Sequence, residues 1–262
     1  IKDCAMTPSK SSLNIAKEFP TFYPDKNTDY KKIEIEKKIF KISSLIISPS
    51  RFTTNFIINE YQVNKIKLKT IPFGVDFKKY SGFRDKNTNI KTHLRLGFVG
   101  LINMRKGIRW LINDLNTLNK KERILIELHL FGRIYKEEIK TLNQAKFKII
   151  KYGFVDTSKT NIYKKFDLLI HPSFIEGSAK CIYEAMASGL PIICTKESGS
   201  IVQNKKNGFI IKAGDSDNLN SSIKFFIYNF NKLQTMGMES QKIIKDFTWE
   251  EYARKVTNNY KA

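Results

Sequence analysis

The sequence predicts an α/β chain organised around a doubly wound parallel sheet. Three observations lead there: short apolar runs recur along the chain, amphipathic helical stretches separate most of them, and glycine follows several of the runs. Such alternation marks βα units, whose right-handed crossovers set successive strands parallel. At 262 residues, 41% hydrophobic and 27% charged, the chain can bury the core of one large or two modest domains.

The first residue is Ile, so the natural start is expected to lie upstream. Residues 1–30 carry Pro, Asn, Ser and Asp without periodicity and read as loop. Tyr30 to Lys41 is expected to be helical, with Ile35, Ile39 and Ile42 on one inward face, and Ser44 to Ser48 reads as a short strand. Pro49-Ser50 breaks that strand. A second helix runs to about Asn59 with Phe52, Phe56 and Ile57 inward, after which Lys65 to Ile71 alternates as a strand. The segment Ile71-Pro72-Phe73-Gly74-Val75-Asp76, with the polar stretch Lys78 to Thr92, reads as a linker at a domain boundary.

Further strands are expected at Leu94 to Val99, Ile124 to Phe131, Phe147 to Tyr152, Asp167 to His171, Pro191 to Cys194 and Gly208 to Ile211. A helix beginning near Arg105 carries Ile108, Leu111, Ile112, Leu115 and Leu118 inward, and one beginning at Gly177-Ser178 carries Ile182, Ala185 and Met186. Gly189 stops the latter by taking the left-handed position just before Pro191. Beyond Gly214, Leu219, Ile223, Phe226 and Ile227 form a helical face, and Thr248 is the expected N-cap of a last helix.

The richest stretch runs from Pro172 to Pro191. Glu176 is expected at the carboxyl end of a strand, where open α/β sheets bind ligands. The amides of Ser178, Ala179 and Lys180 at the following helix start would offer an anion hydrogen bonds and a favourable dipole. Glu184 follows eight residues after Glu176, and alone it reads as part of a solvated helix face. Gly100 ends another strand, and Arg105-Lys106 comes soon after it. Unpaired cations at a helix start oppose the dipole by roughly 0.3–1 kcal/mol each, a sign that a bound anion reverses. Gly132-Arg133 and Gly153-Phe154-Val155 each follow a strand, where glycine permits a tight turn. Ser198-Gly199-Ser200 is expected to line the same crevice.

With these residues in place, Glu176-Gly177-Ser178 followed by Glu184-Ala185-Met186-Ala187-Ser188-Gly189-Leu190-Pro191 resembles the Glu-x7-Glu signature of retaining GT-B glycosyltransferases of the family 4 type. The resemblance covers about residues 30–260. It implies residues 1–75 as the end of an N-terminal, acceptor-side Rossmann-like domain lacking much of its beginning. It further implies a nucleotide-sugar-binding domain at 76–246 and a crossover helix at 247–262. It implies that Arg105 and Lys106 contact the donor diphosphate, that Glu176 orients the donor sugar, and that Glu184 binds the ribose hydroxyls. Gly177, Ser178, Ala179, Lys180, Gly100, Phe154, Val155, Gly199 and Ser200 complete the donor site. The implied activity is transfer of a sugar from a UDP- or GDP-sugar to a saccharide or lipid-linked acceptor with retention of configuration, in cell-envelope or glycan biosynthesis. No cofactor and no metal is expected. A shortened, non-catalytic protein that binds nucleotide sugar or anionic glycan is the alternative.

Composition weighs against other classes. The net charge of +21 suggests an acidic partner, but only eight of the 46 basic residues are arginine, and no arginine-rich or aromatic-interleaved block appears. Nucleic acid is therefore not expected, while peripheral contact with an anionic membrane is compatible with the charge. A glycosidase would use paired carboxylates without a phosphate-binding Arg-Lys pair. Gly97, Gly100 and Gly107 lack the dinucleotide fingerprint spacing, and no Walker loop occurs. Cys4, Cys181 and Cys194 suggest neither disulfides nor a metal site, and His93, His129 and His171 form no metal-spaced pair. A cytoplasmic location is expected, soluble or peripheral at the inner membrane surface.

Overall fold

The computed structural model describes residues 2–3, 10, 14, 17–19, 30–81, 93–156 and 162–261. Their strands form two parallel sheets. The smaller has the order β1-β2-β3, from Lys2–Asp3, Ile46–Ser48 and Leu68–Thr70. The larger has the order β6-β5-β4-β7-β8-β9, from Lys148–Gly153, Ile126–Phe131, Leu94–Val99, Leu168–His171, Ile192–Thr195 and Gly208–Ile211. This is the doubly wound α/β architecture that the alternation predicts.

The winding direction of the larger sheet fixes where a ligand can sit. The chain enters at β4, builds outward through β5 and β6, then returns to the other side of β4 for β7, β8 and β9. Connections from β4 and β7 therefore leave in opposite directions, opening a crevice at their carboxyl ends. Arg95 locks these two neighbours together, its Nε and Nη2 donating to the two carboxylate oxygens of buried Asp167 at 3.0 and 2.8 Å. Helices cover both faces of the sheet. Leu96, Phe98, Trp110 and Leu111 lie in one core, and Phe131, Tyr163, Leu169 and Met186 lie in the other. Gly97 is glycine because a Cβ there would meet the Phe166 ring at 2.2 Å.

Several expected elements differ in the fold. Lys2–Asp3, read as loop, pairs in parallel with Ile46 and Ile47. In the Tyr30–Ile42 helix the inward residues are Ile33 and Phe40, whereas Ile35 and Ile42 are exposed. Phe40 packs edge-on against Tyr61, which also donates to Glu36 and so turns the 33-36-40 row inward. Lys65–Lys67 is a 3-10 turn capped by Asn64, so only Leu68–Thr70 joins the sheet and Ile66 projects outward. Ile124 ends a short helix, Lys120–Ile124, whose capping box of Asn119 and Glu122 overrides the apolar run.

The segment read as a linker is packed. Phe73, Val75 and Tyr80 are buried in the core on the side of the Lys180–Ala187 helix, and the Val75 amide donates to Phe247 O at 2.9 Å. Residues 82–92 of the polar stretch, and Cys4, lie outside the described residues. The last helix, Trp249–Lys261, begins as expected, with the Glu251 amide donating to Thr248 Oγ1 at 3.1 Å. Among the described residues no helix is long and apolar enough to cross a membrane.

Candidate active site

Two loops meet above the crevice. The loop after β4 ends in a 3-10 turn, Met104–Lys106, and the next helix, Ile108–Thr117, starts only after Gly107. Arg105 and Lys106 therefore precede the helix, not open it as the periodicity suggested. Gly107 takes φ +76°, and a Cβ there would fall 1.9 Å from Pro172 O, so only glycine allows the loop after β7 to close over this turn. Two further bonds hold the loops together, from the Phe174 amide and from Ser173 Oγ to Arg105 O, at 3.0 and 3.1 Å.

This clamp brings opposite charges into contact. Arg105 Nη1 lies 2.8 Å from Glu176 Oε1, and Lys106 Nζ pairs with the same oxygen. Ser173 Oγ adds a hydrogen bond at 3.1 Å. The Glu176 and Lys106 side chains are only 13% and 12% exposed, so the pair is poorly screened by water. Burial pushes the Glu176 carboxyl up, but Lys106 and Arg105 outweigh burial and hold it below its ordinary value. The cations that the sequence assigns to an anion are thus neutralised internally by the carboxylate assigned to a sugar.

Glu184 has a different environment. It sits on the Lys180–Ala187 helix and accepts from Tyr163 OH at 2.5 Å. Burial raises its carboxyl, opposed first by the Tyr163 hydrogen bond and then by the charge of Lys79. Tyr163 comes from a 3-10 turn, Ile162–Lys165, and no sequence spacing links it to Glu184. The two glutamates thus have opposite shifts: one low beside cations, one high in a buried, tyrosine-bonded seat.

A cleft of about 560 Å³ joins these groups. Its lining includes Gly100, Lys106, Glu176, Ser178, Ala179, Lys180 and Glu184 from the sequence-derived set. Phe73, Trp249 and Tyr252 form an aromatic wall that the sequence reading did not assign, with Lys180 Nζ 5.7 Å from the Phe73 ring centre and 5.5 Å from that of Trp249. Their only signal in the sequence was proximity to the Pro72-Phe73-Gly74 and Thr248-Trp249 turns. A separate cleft of about 620 Å³ opens at the amino ends of β4, β5 and β6, away from this chemistry.

The amides at the helix start are only partly open. The helix begins at Lys180, and the Ala179 amide is occupied by Ser198 O at 3.2 Å, which corrects its assignment as a free donor. The amides of Ser178 and Lys180 have no partner among the described residues.

Six other candidates lie off the cleft lining, among them Arg105, whose Nη1 also donates to Ile175 O at 2.9 Å. Gly177 turns its carbonyl toward the small sheet, where Ser50 Oγ and Thr53 Oγ1 donate to it at 2.6 and 3.0 Å. Gly199, at φ +59°, is buried against that carbonyl, and a Cβ there would lie 2.3 Å from it. Ser200 Oγ pairs with Cys194 Sγ at 3.3 Å. Phe154, beyond the edge strand β6, is 82% exposed, and Val155 is half-buried against the core that holds Tyr163. Below the cleft, His171 is fully buried, its Nδ1 3.5 Å from Cys181 Sγ and its Nε2 without a partner among the described residues. Burial, then the charge of Lys106, takes its pKa down to about 3, and burial pushes the Cys181 thiol up to about 12.

A doubly wound sheet with this charged cleft at its switch point has the form of a GT-B glycosyltransferase. The chain belongs to the family described as glycosyl transferases group 1, which matches residues 93–229. It is 24% identical, over 83% of its length, to the capsular polysaccharide biosynthesis glycosyltransferase CapM of Staphylococcus aureus, and 23% identical, over 95%, to mannosylfructose-phosphate synthase of Agrobacterium fabrum. It spans 62% and 61% of the length of those two relatives. Sucrose-phosphate synthase of Thermosynechococcus elongatus has the same fold, with a TM-score of 0.79 at 20% identity over 97% of this chain and 65% of that one. Anabaena HepE, solved in complex with UDP-glucose, has a TM-score of 0.74 at 20% identity over 89% of this chain and 68% of its own.

Proposed function

We propose that the chain is the donor side of a retaining, family 4 type transferase that moves a sugar from a UDP- or GDP-sugar to a hydroxyl of a saccharide or lipid-linked acceptor in glycan biosynthesis. One observation carries this reading: Lys106, Glu176, Glu184 and the open amides of Ser178 and Lys180 share a single cleft at the switch point. Cleavage of the glycosidic bond builds negative charge on the diphosphate, and fixed cations and amides lower the barrier only where that charge grows. Glu176 holds Arg105 and Lys106 in place. A diphosphate entering beside them takes over that pairing and leaves Glu176 to accept from the sugar hydroxyls. Glu184, oriented by hydrogen bonds from Tyr163 and Tyr80, lines the cleft and accepts from the vicinal ribose hydroxyls. No metal ion has a role in this reading.

The relatives support it by their names: one is a glycosyltransferase of capsular polysaccharide biosynthesis, and HepE was solved in complex with UDP-glucose. Ligand-observed NMR with UDP- and GDP-sugars tests it. Saturation transfer to the nucleotide sugar is expected, strongly reduced by Lys106→Ala and by Glu184→Ala. Absence of binding, or binding untouched by both substitutions, would refute the assignment.

A further inference from the structure

The open amide of Ser178 belongs to a peptide group that is gripped from the small-sheet side of the molecule. The carbonyl half of that group, Gly177 O, accepts from Ser50 Oγ at 2.6 Å and from Thr53 Oγ1 at 3.0 Å. Both hydroxyls are buried and stand at the start of the Arg51–Tyr61 helix, where Ser50 Oγ also accepts from the Thr53 amide at 3.2 Å. Residue 199 must be glycine to leave them room, since a Cβ there would lie 2.3 Å from Gly177 O and 2.7 Å from Ser50 Oγ. The flanking amides are tied down too, Glu176 N to Glu197 O at 2.9 Å and Ala179 N to Ser198 O at 3.2 Å. The plane of the Gly177-Ser178 peptide is thus fixed.

In a planar trans peptide the carbonyl and the amide hydrogen point in opposite directions. With Gly177 O turned toward the small sheet, the Ser178 N–H faces away from it, and Ser178 lines the charged cleft together with Lys106 and Lys180. Ala179 makes no side-chain cap bond, and the first turn of the Lys180–Ala187 helix holds no acidic residue. We infer that Ser50 and Thr53 are positioning residues of the donor site, which aim the Ser178 amide at the diphosphate and strengthen it as a donor. A peptide whose oxygen accepts hydrogen bonds is polarised, so its N–H donates more strongly, by about 10–30% per bond. The fixed plane also spares the anion the cost of ordering that amide on binding. A bond that served only to join the sheets would not require an open amide on the same peptide. The inference rests on the sugar-transfer reading, and its test separates the two.

Labelling the full chain with carbon-13 at glycine carbonyls and nitrogen-15 at serine amides makes only Gly-Ser peptides visible by NMR, and the chain has two, Gly177-Ser178 and Gly199-Ser200, which Ser200→Ala tells apart. Calorimetry with UDP and with GDP gives the affinity. Titration of whichever nucleotide binds more tightly should move the Ser178 amide peak downfield as the amide meets the phosphates. Thr53→Val keeps the shape of the side chain and removes its hydroxyl; it should shift the Ser178 peak in the free protein and weaken nucleotide binding roughly two- to tenfold. Thr53→Ser restores the hydroxyl and should bind like the parent chain, with circular dichroism checking that both variants fold. Failure of the parent chain to bind either nucleotide would sink the sugar-transfer reading and this inference with it. Where a nucleotide binds, a stationary Ser178 peak, an affinity unchanged by Thr53→Val, or an equal loss in Thr53→Ser would overturn this inference alone. The peak titration needs neither Thr53 variant, so it decides even where Thr53→Val does not fold.

Discussion

Replacing Tyr163 by Phe removes one oxygen from the core and tests how Glu184 is held. The ring is buried, edge-on to Tyr80 and Phe166 with centroids 5.7 and 5.8 Å away, so phenylalanine fits the same space. The substitution removes the bond to Glu184 Oε2 at 2.5 Å. A hydrogen bond to a charged group contributes about 1.5–3 kcal/mol. Burial already raises the Glu184 carboxyl and the tyrosine is the leading influence opposing it, so the substitution raises it further. A carboxyl raised in the folded state costs stability once pH exceeds its unfolded value, and the full cost is present above the folded value. The expected loss is therefore about 1.5–3 kcal/mol near pH 7.5, shrinking as pH falls through the raised folded value toward the unfolded one. Urea melts of both proteins at about pH 7.5 and about pH 4 measure this. An equal loss at both would refute a tyrosine–carboxylate bond.

The remaining predictions concern the charges and the turn that brings them together. Burial keeps His171 neutral with a pKa near 3, so the unfolded chain gains a proton below about pH 6.5 that the fold does not. Stability should then fall by up to about 1.4 kcal/mol per pH unit on acidification, and His171→Asn should flatten that slope in melts followed from about pH 7 to 4. Glu176→Gln removes the counter-ion of Arg105 and Lys106. Melting temperature should drop, yet UDP alone should bind more tightly by calorimetry, and weaker UDP binding would count against internal neutralisation. Gly107→Ala combines a left-handed φ with a Cβ 1.9 Å from Pro172 O, so it should cost more than about 1–2 kcal/mol in denaturant melts and weaken nucleotide binding by displacing the Glu176 loop.

Much of the fold could be read from the chain because its signals are local. The strands Leu94–Val99 and Gly208–Ile211, the stop at Gly189 and the cap at Thr248 depend on residues within a few positions of each other. The Tyr30–Ile42 helix shows the limit of such reading: its periodicity admits more than one apolar row, and contact with Tyr61 selects Ile33 and Phe40.

By itself the sequence determined the alternating elements, the positions of Glu176 and Glu184 around a helix start, and the presence of Arg105-Lys106 after a strand. Each is a matter of near-neighbour spacing along the backbone. Only the tertiary structure decided that Glu176 pairs with both cations, that Tyr163 fixes Glu184, and that Ser50 and Thr53 grip the Gly177 carbonyl. Those partners lie 71, 70, 21, 127 and 124 residues apart, distances over which a flexible chain specifies no contact until the sheet has closed.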